Sequence, residues 1–458
     1  MKDPRSADAA PPPPADDPML SVDVARGRVL EAIRDPLPAE TRPIEATLGR
    51  VAAAEVRATT DLPPWDNSAM DGYAVRGAEI VEASEAAPVV LRVAGEAAAG
   101  GSAGPAAAPG TAIRIATGAP LPAGADTIVQ VELTTPLNAD GSAAGPRGGQ
   151  AIGSIPASVA IHATVPIGSS IRRRGSDLLA GTVVLQAGVQ LGPAAIGLVA
   201  GSGVSSVAVH RRPIVAVLAT GDEVRSAGTA LEGSGIPDAN GPGLRALAAA
   251  AGADVLDLGI ARDRLDDVTE RLRRGVAQAD IVIVSGGVSV GPYDVVRAGF
   301  EAVGRIELWR VALQPGKPFA FGTARRDDGS QVLLFGLPGN PVSSFVTFEI
   351  FVRPALRRLA GHADPFRPSE PGVLMEPVTK GRGRRAYLRV ELDRRPNGAP
   401  ILDPGGRLQV RLAGARSTAG QGSHVLSTLA AADALAAVPE AFEDVPPGTE
   451  VEVFRLDR

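Results

Sequence analysis

From Arg212-Pro213 onward the chain alternates unbroken apolar runs with longer amphipathic stretches, and few folds accommodate that alternation. Ile214-Val215-Ala216-Val217-Leu218 and Ile281-Val282-Ile283-Val284 contain no polar residue, as expected of strands covered on both faces. Val255 to Ile260 and Val332 to Phe335 read as further strands. Asn240 to Ala250, Asp263 to Gln278, Asp294 to Val303 and Pro341 to Leu359 read as helices, the first capped by Asn240 and the second beginning on a good cap. Strand and helix in turn specify a doubly wound, largely parallel α/β sheet, with ligands beyond the carboxyl ends of its strands.

The rest of the chain has a different texture. At 458 residues it is long enough for roughly three domains. Residues 1–18, with Pro11 to Pro14, have little to bury and read as a disordered leader. The spacing of Val24, Val29 and Ile33 predicts a short helix ended by Pro36. Between Arg57 and Val209 short apolar runs separated by Gly and Pro suit small β modules, with Asn138 to Ile155 a surface loop or hairpin extension. From about Pro365 short β segments return, including Arg385 to Leu392 and Thr449 to Phe454.

Composition removes several functional classes. A formal charge of −5 leaves no electrostatic footprint for nucleic acid or an anionic membrane. No stretch is long and apolar enough to span a bilayer, and no signal pattern opens the chain, so a cytoplasmic location is the default expectation. Without cysteine there are no disulfides, thiolate metal sites or iron–sulfur clusters. Only four histidines occur, His162, His210, His362 and His424, none paired at helical spacing, which favours a hard, oxygen-bound cation such as Mg2+. Lysine survives at Lys2, Lys317 and Lys380 in a chain otherwise committed to arginine.

The chemistry is expected in four Gly-rich loops beside the α/β strands: Thr220 to Glu223, Ser285 to Ser289, Gln314 to Pro318 and Gly336 to Pro341. Glycine lets backbone N–H groups approach a phosphate. No Walker motif and no dinucleotide fingerprint is present, which points to a nucleotide or pterin phosphate site of another kind. Asp222, Glu223, Asp238 and Asp294 bring carboxylates to such loops. Beside a phosphate they require a divalent cation or basic side chains between them, while singly each serves equally well as a helix cap. Lys317, fixed between two prolines, presents one ammonium to an oxyanion or is simply a turn lysine. Pro64 to Ala74 is too rich in aromatic and polar residues for a linker. Arg172-Arg173-Arg174-Gly175-Ser176-Asp177 suits an oxyanion or forms a solvated charge run, and Gly420 to His424 again offers Gly-rich backbone to an anion.

Asp66 to Ala74, Thr117-Gly118-Ala119-Pro120, Arg172 to Asp177, Thr220 to Glu223, Ser285 to Gly291, Pro315 to Gly322 and Leu337 to Ser343, in this order, resemble the molybdopterin molybdenumtransferase (MoeA) family, relatives of the gephyrin E domain. The resemblance runs from about Ser21 to the C-terminus. It implies a homodimer of elongated subunits with a discontinuous domain (19–60 and 170–208), an inserted β domain (61–169), an α/β molybdopterin-binding domain (209–361) and a C-terminal β-barrel-like domain (362–458). It implies an active site between the α/β domain of one subunit and the inserted domain of the other. The implied reaction cleaves adenylylated molybdopterin with Mg2+, delivers molybdenum from molybdate to the dithiolene and releases AMP.

Carried over by similarity, Asp71, Asp177, Glu223, Asp238, Asp294 and Lys317 are catalytic, with Glu223 and Asp238 on the metal. Thr117, Arg172, Ser289, Pro338, Gly339, Asn340 and Ser423 bind substrate. Transient contact with molybdopterin adenylyltransferase and downstream cofactor-processing proteins is also implied. One position departs: where some members carry a second lysine, three residues before Lys317, this chain has Gln314. The same fold also serves as a partner-binding scaffold, and a related α/β domain adenylylates molybdopterin. The acids together with Lys317 speak against the first alternative, and the long N-terminal and inserted regions against the second.

Overall fold

The computed structural model describes residues 19–149, 154–231, 233–287, 295–414 and 420–456. The leader, Ser289 and Asp294 therefore lie outside the described residues. At the centre is a six-stranded sheet in the order Asp254–Ala261, Ile214–Thr220, Ile281–Ser285, Gln331–Leu337, Pro318–Arg325, Arg305–Arg310. The first four strands pair in parallel, and the last two pairings, which flank Pro318–Arg325, are antiparallel. Side chains alternate along each strand, so Val215, Val217, Ile281 and Ile283 meet the helix Asn240–Ala250 on one face. Ala216, Leu218, Val282 and Val284 meet Leu265–Gln278 and Val295–Glu301 on the other.

The N-terminal helix Val22–Glu31 is capped by Ser21, whose Oγ accepts from the Val24 N–H at 3.2 Å. Its buried stripe is Val22, Ala25, Val29 and, one turn on, Ile33, which packs into the α/β core. Val24, expected on that stripe, is 49% exposed, because positions 22, 25 and 29 share a helix face from which 24 is turned away. Each fully buried valine or isoleucine there contributes roughly 1.5–3 kcal/mol. The segment Pro341 to Leu359 is helical throughout but includes a π turn at Phe348–Val352, just before Pro354, whose missing N–H and ring disfavour a regular α turn.

Around this domain three β units are arranged. Ala39–Pro43 pairs antiparallel with Ser206–His210, and Val56–Arg57 with Val183–Leu185, so two segments far apart in sequence share one small module. Between them a six-stranded sheet includes Gly72–Val75 and Thr111–Ile115. Its faces divide by the same period of two, with Tyr73 and Val75 in one core and Ala74, Ile113 and Ile115 in another. At the C-terminal end Arg385–Leu392, Leu408–Leu412, Glu370–Leu374, Thr449–Arg455 and Ala434–Val438 are joined in a ring, since the last pairs back with the first. The five strands form a closed barrel, which leaves no open edge.

One short segment ties these parts together. Leu20 donates its N–H to the Arg310 carbonyl at 2.9 Å and accepts from Ala312 at 2.8 Å. Leu313–Gln314 then runs parallel to Arg385 and Ala386 at the start of the barrel. The Gln314 to Lys317 loop is thus held between the α/β sheet and the barrel.

Candidate active site

The described parts of the four Gly-rich loops lie at one edge of the sheet. Parallel strands ending at Thr220, Ser285 and Leu337 deliver three of them, and the antiparallel strand that starts at Pro318 brings Lys317 to the same edge. They also touch: the Gly286 N–H donates to the Leu337 carbonyl at 3.2 Å, and Thr220 Oγ1 to the Ser285 carbonyl at 3.4 Å. Gly286 is required here, because its φ is +99° and a Cβ would lie 2.8 Å from the Thr220 carbonyl oxygen.

Beside this edge a cleft of about 340 Å³ opens between the 314–317 loop and the barrel. Lys317, Arg384 and Arg389 line it together with Ser343 and Ser423, and no carboxylate among the described residues does. Lys317 is half-buried and makes no ion pair among the described residues. Arg389 is only 1% exposed. Its guanidinium donates to Thr428 Oγ1 at 2.8 Å and to the Gly422 carbonyl at 3.2 Å, again with no acid among the described residues. Burial lowers its pKa to about 10, so it stays charged near neutrality. A buried cation with no countercharge costs free energy that an incoming anion removes. Asn340 Nδ2 donates to Ser423 Oγ at 3.1 Å, and the Val342 N–H to the Ser423 carbonyl at 3.1 Å, which lock the cleft's barrel wall to the Pro338-Gly339-Asn340 loop.

The acidic residues occupy the other side of the same edge. Val224–Arg225 and Ile236–Pro237 form a short parallel pair with Glu223 just before one strand and Asp238 just after the other. By strand rise their Cα atoms are roughly 10 Å apart. The exposed Glu223 carboxylate folds back over Gly221, within 2.9 Å of where a Cβ there would sit. Asp238 Oδ1 accepts from the Gly241 N–H at 2.8 Å and so caps the helix that Asn240 was expected to cap. Asn240 instead donates to the Gly339 carbonyl at 2.6 Å, joining this wall to the 338–340 loop. The next helix begins at Leu265 without a side-chain cap, and Asp263 is used elsewhere: its N–H donates to Asp222 Oδ1 at 3.2 Å and its carboxylate accepts from the Asp222 N–H at 3.3 Å. Among the described residues no group of three or more His, Asp or Glu side chains is placed to hold a metal by itself.

The inserted sheet assembles a second group. Asp71 Oδ1 accepts from the Thr117 N–H at 2.7 Å and from Thr117 Oγ1 at 2.9 Å. Arg172 lies across a strand pair from Asn67, which brings the Arg172 to Asp177 segment beside the same loop. Asp66 accepts from the Arg174 N–H at 2.8 Å and from Arg173 at 2.6 Å, and these hold its carboxyl below the usual range. Arg174 also pairs with Asp61. Arg172 and Asp177 are exposed and make no ion pair among the described residues. No hydrogen bond or ion pair among the described residues joins this group to Glu223, Lys317 or Asn340. Arg384 and Arg389, which also line the cleft, were not singled out from sequence; the run Lys380-Gly381-Arg382-Gly383-Arg384-Arg385 was a visible signal for Arg384 alone.

An α/β sheet edge of Gly-rich loops, abutting a cleft lined by three cations, defines a protein with a site suited to an anion. Family models narrow the class. "MoeA N-terminal region (domain I and II)" matches residues 20–203, "Probable molybdopterin binding domain" residues 216–358, and "MoeA C-terminal region (domain IV)" residues 371–456. Molybdopterin molybdenumtransferase 2 of Mycobacterium tuberculosis is 38% identical over 422 residues, covering 91% of this chain and 95% of that protein. The Haemophilus influenzae molybdopterin molybdenumtransferase is 32% identical over 435 residues, 95% of this chain and 98% of the relative. A crystal structure of a molybdopterin biosynthesis MoeA protein from Pyrococcus horikosii superposes with a TM-score of 0.72 at 29% identity, over 96% of this chain and 99% of that one. The chain belongs to the molybdopterin molybdenumtransferase family and is a transferase of molybdenum cofactor biosynthesis.

Proposed function

We propose that the chain takes adenylylated molybdopterin and molybdate, cleaves the adenylate with release of AMP, and delivers molybdenum to the dithiolene. The observation that carries this reading is the cleft of Lys317, Arg384 and Arg389, where three cations and two serine hydroxyls meet with no carboxylate among the described residues. A tetrahedral oxyanion accepts hydrogen bonds from all of these groups. The pterin phosphate lies along the adjoining edge, against the backbone of Gly286 and of Pro338, Gly339 and Asn340, with Ser289 contributing from the same loop.

Glu223 and Asp238 are the residues that would hold Mg2+, with Asp294 as a further candidate. Two carboxylates fit this ion, which keeps several waters and completes its shell with substrate phosphates. When bound, it supplies neutralisation of phosphate charge. Asp71 with Thr117 belongs to the inserted domain, Arg172 with Asp177 to the adjoining segment that pairs with Asn67 and Ser68, and we infer that a second subunit brings both pairs to the cleft. The exposed Trp65 and Met70 beside Asp71 suit such a contact. The reading places the enzyme in the cytoplasm, in transient contact with the adenylyltransferase that supplies its substrate and with the proteins that take its product.

The test incubates the purified chain with adenylylated molybdopterin, Mg2+ and molybdate, and follows AMP release and reconstitution of a molybdoenzyme. Glu223→Ala is expected to stop adenylate cleavage in a normally folded protein. Undiminished AMP release by that variant removes Glu223 from the mechanism.

A further inference from the structure

We propose that Gln314 and Lys380 are positioning residues that hold Arg384 over the cleft as its third cation; this rests on the reading of the cleft as the molybdate site. Three contacts form one unit. Gln314 Oε1 accepts from the Gly381 N–H at 2.8 Å, which ties the 380–384 loop to the 314–317 loop. Lys380, only 4% exposed, donates from Nζ to the Arg384 carbonyl at 2.6 Å and to the Gly381 carbonyl at 3.5 Å. The Arg384 guanidinium lies against Gly381, where a Cβ would overlap it. The loop from 380 to 384 is thus fastened at both ends, and its one cleft-lining side chain is Arg384, which has no ion-pair partner among the described residues.

The same contacts account for the choice of residue at each position. Gln314 lies in register with Ala386 at the start of the barrel. From there a carboxamide reaches a backbone N–H, whereas an ammonium has no lone pair with which to accept it. Lys380 is one of three lysines in an arginine-rich chain. A compact ammonium is satisfied by two carbonyls in a closed space, but a guanidinium brings five N–H groups that all need partners. The uncharged Gln314 therefore acts on the oxyanion through Arg384.

Inorganic molybdate is titrated calorimetrically into the full-length chain and into Lys317→Ala, Arg384→Met, Gln314→Met and the Arg384→Met/Gln314→Met double variant. Arg384→Met is expected to bind about tenfold more weakly and Gln314→Met about threefold, and Arg384→Lys recovers most of the loss. The double variant should match Arg384→Met to within about twofold, because a positioning residue has nothing left to position. In turnover, the KM for molybdate rises in both single variants while kcat holds. Losses that multiply to about thirtyfold in the double variant overturn the proposal, as do unchanged single variants alongside a weakened Lys317→Ala. If Lys317→Ala itself binds molybdate normally, the cleft is not the oxyanion site and the positioning role falls with it.

Discussion

The cleft beside Lys317 leaves its cations without an ion pair among the described residues, whereas the face around Asp71 neutralises most of its charge internally. In the cleft, Arg389 is buried on hydroxyl and carbonyl acceptors alone. On the face, Asp66 and Asp61 are satisfied by Arg173, Arg174 and backbone N–H groups, and Asp71 by Thr117. On the proposed reading the first arrangement keeps an unmet electrostatic demand in a preformed cavity, so that one subunit would be enough to bind a small anion there. The second fixes the shape of a loop and exposes Arg172 and Asp177 for another surface to use. On the proposed reading, one region is a receptor and the other half of an interface.

Four experiments break or sharpen that contrast. Arg389→Met should have the largest effect, lowering molybdate affinity about a hundredfold, since it removes a charged donor from a desolvated site. Retained affinity would mean that the buried guanidinium serves the barrel alone. Next, inactive Asp71→Ala and Lys317→Ala chains, mixed after unfolding and refolding, should recover roughly a quarter of wild-type activity if each site takes residues from two subunits. No recovery would place both groups in one subunit's site.

Asp66→Ala should cost roughly 1 kcal/mol of stability, measured by urea unfolding, while molybdate affinity stays the same. A parallel loss of affinity would couple face to cleft within one chain. The smallest effects come from pH. Arg389, lowered to about 10 by burial, keeps its proton from pH 7 to 9. Cleft affinity should be steady across that range and fall as pH rises through 10. Asp66 has its pKa lowered first by the Arg174 N–H and then by Arg173. Its contribution to stability is present above the unfolded carboxylate pKa of about 3.9 and is lost as pH falls through the lower folded value. Wild type and Asp66→Asn should therefore differ in urea midpoint at pH 5 and converge in stronger acid.

The central strands were legible because parallel strands with two covered faces admit no polar residue, as in Ile281 to Val284. Arg305–Arg310 and Pro318–Arg325 escaped notice: the first is the edge strand, where polar and apolar residues alternate, and the second follows directly on the Gly- and Pro-rich loop that holds Lys317. Local spacing placed the helix at Asn240 correctly. Whether Asn240 or Asp238 caps it depends on the Gly339 carbonyl, nearly a hundred residues downstream, which captures the asparagine. The loops at the sheet edge could be read from glycine and proline alone. Arg389 could not, since it alternates with the barrel-core residues Leu388 and Val390 and so looks like an ordinary outward-facing strand residue, and only the 420–428 segment, thirty residues and more downstream, covers it. The role of Gln314 was hidden for the same reason, because its partner Gly381 belongs to a different domain.

The most direct measurement is molybdenum-edge anomalous scattering from a crystal soaked in molybdate. The account predicts one strong peak within hydrogen-bonding distance of Lys317, Arg384 and Arg389, present in each subunit and absent from Lys317→Ala crystals. A peak at the Arg172 to Asp177 segment instead, with the cleft empty in an active enzyme, would contradict it.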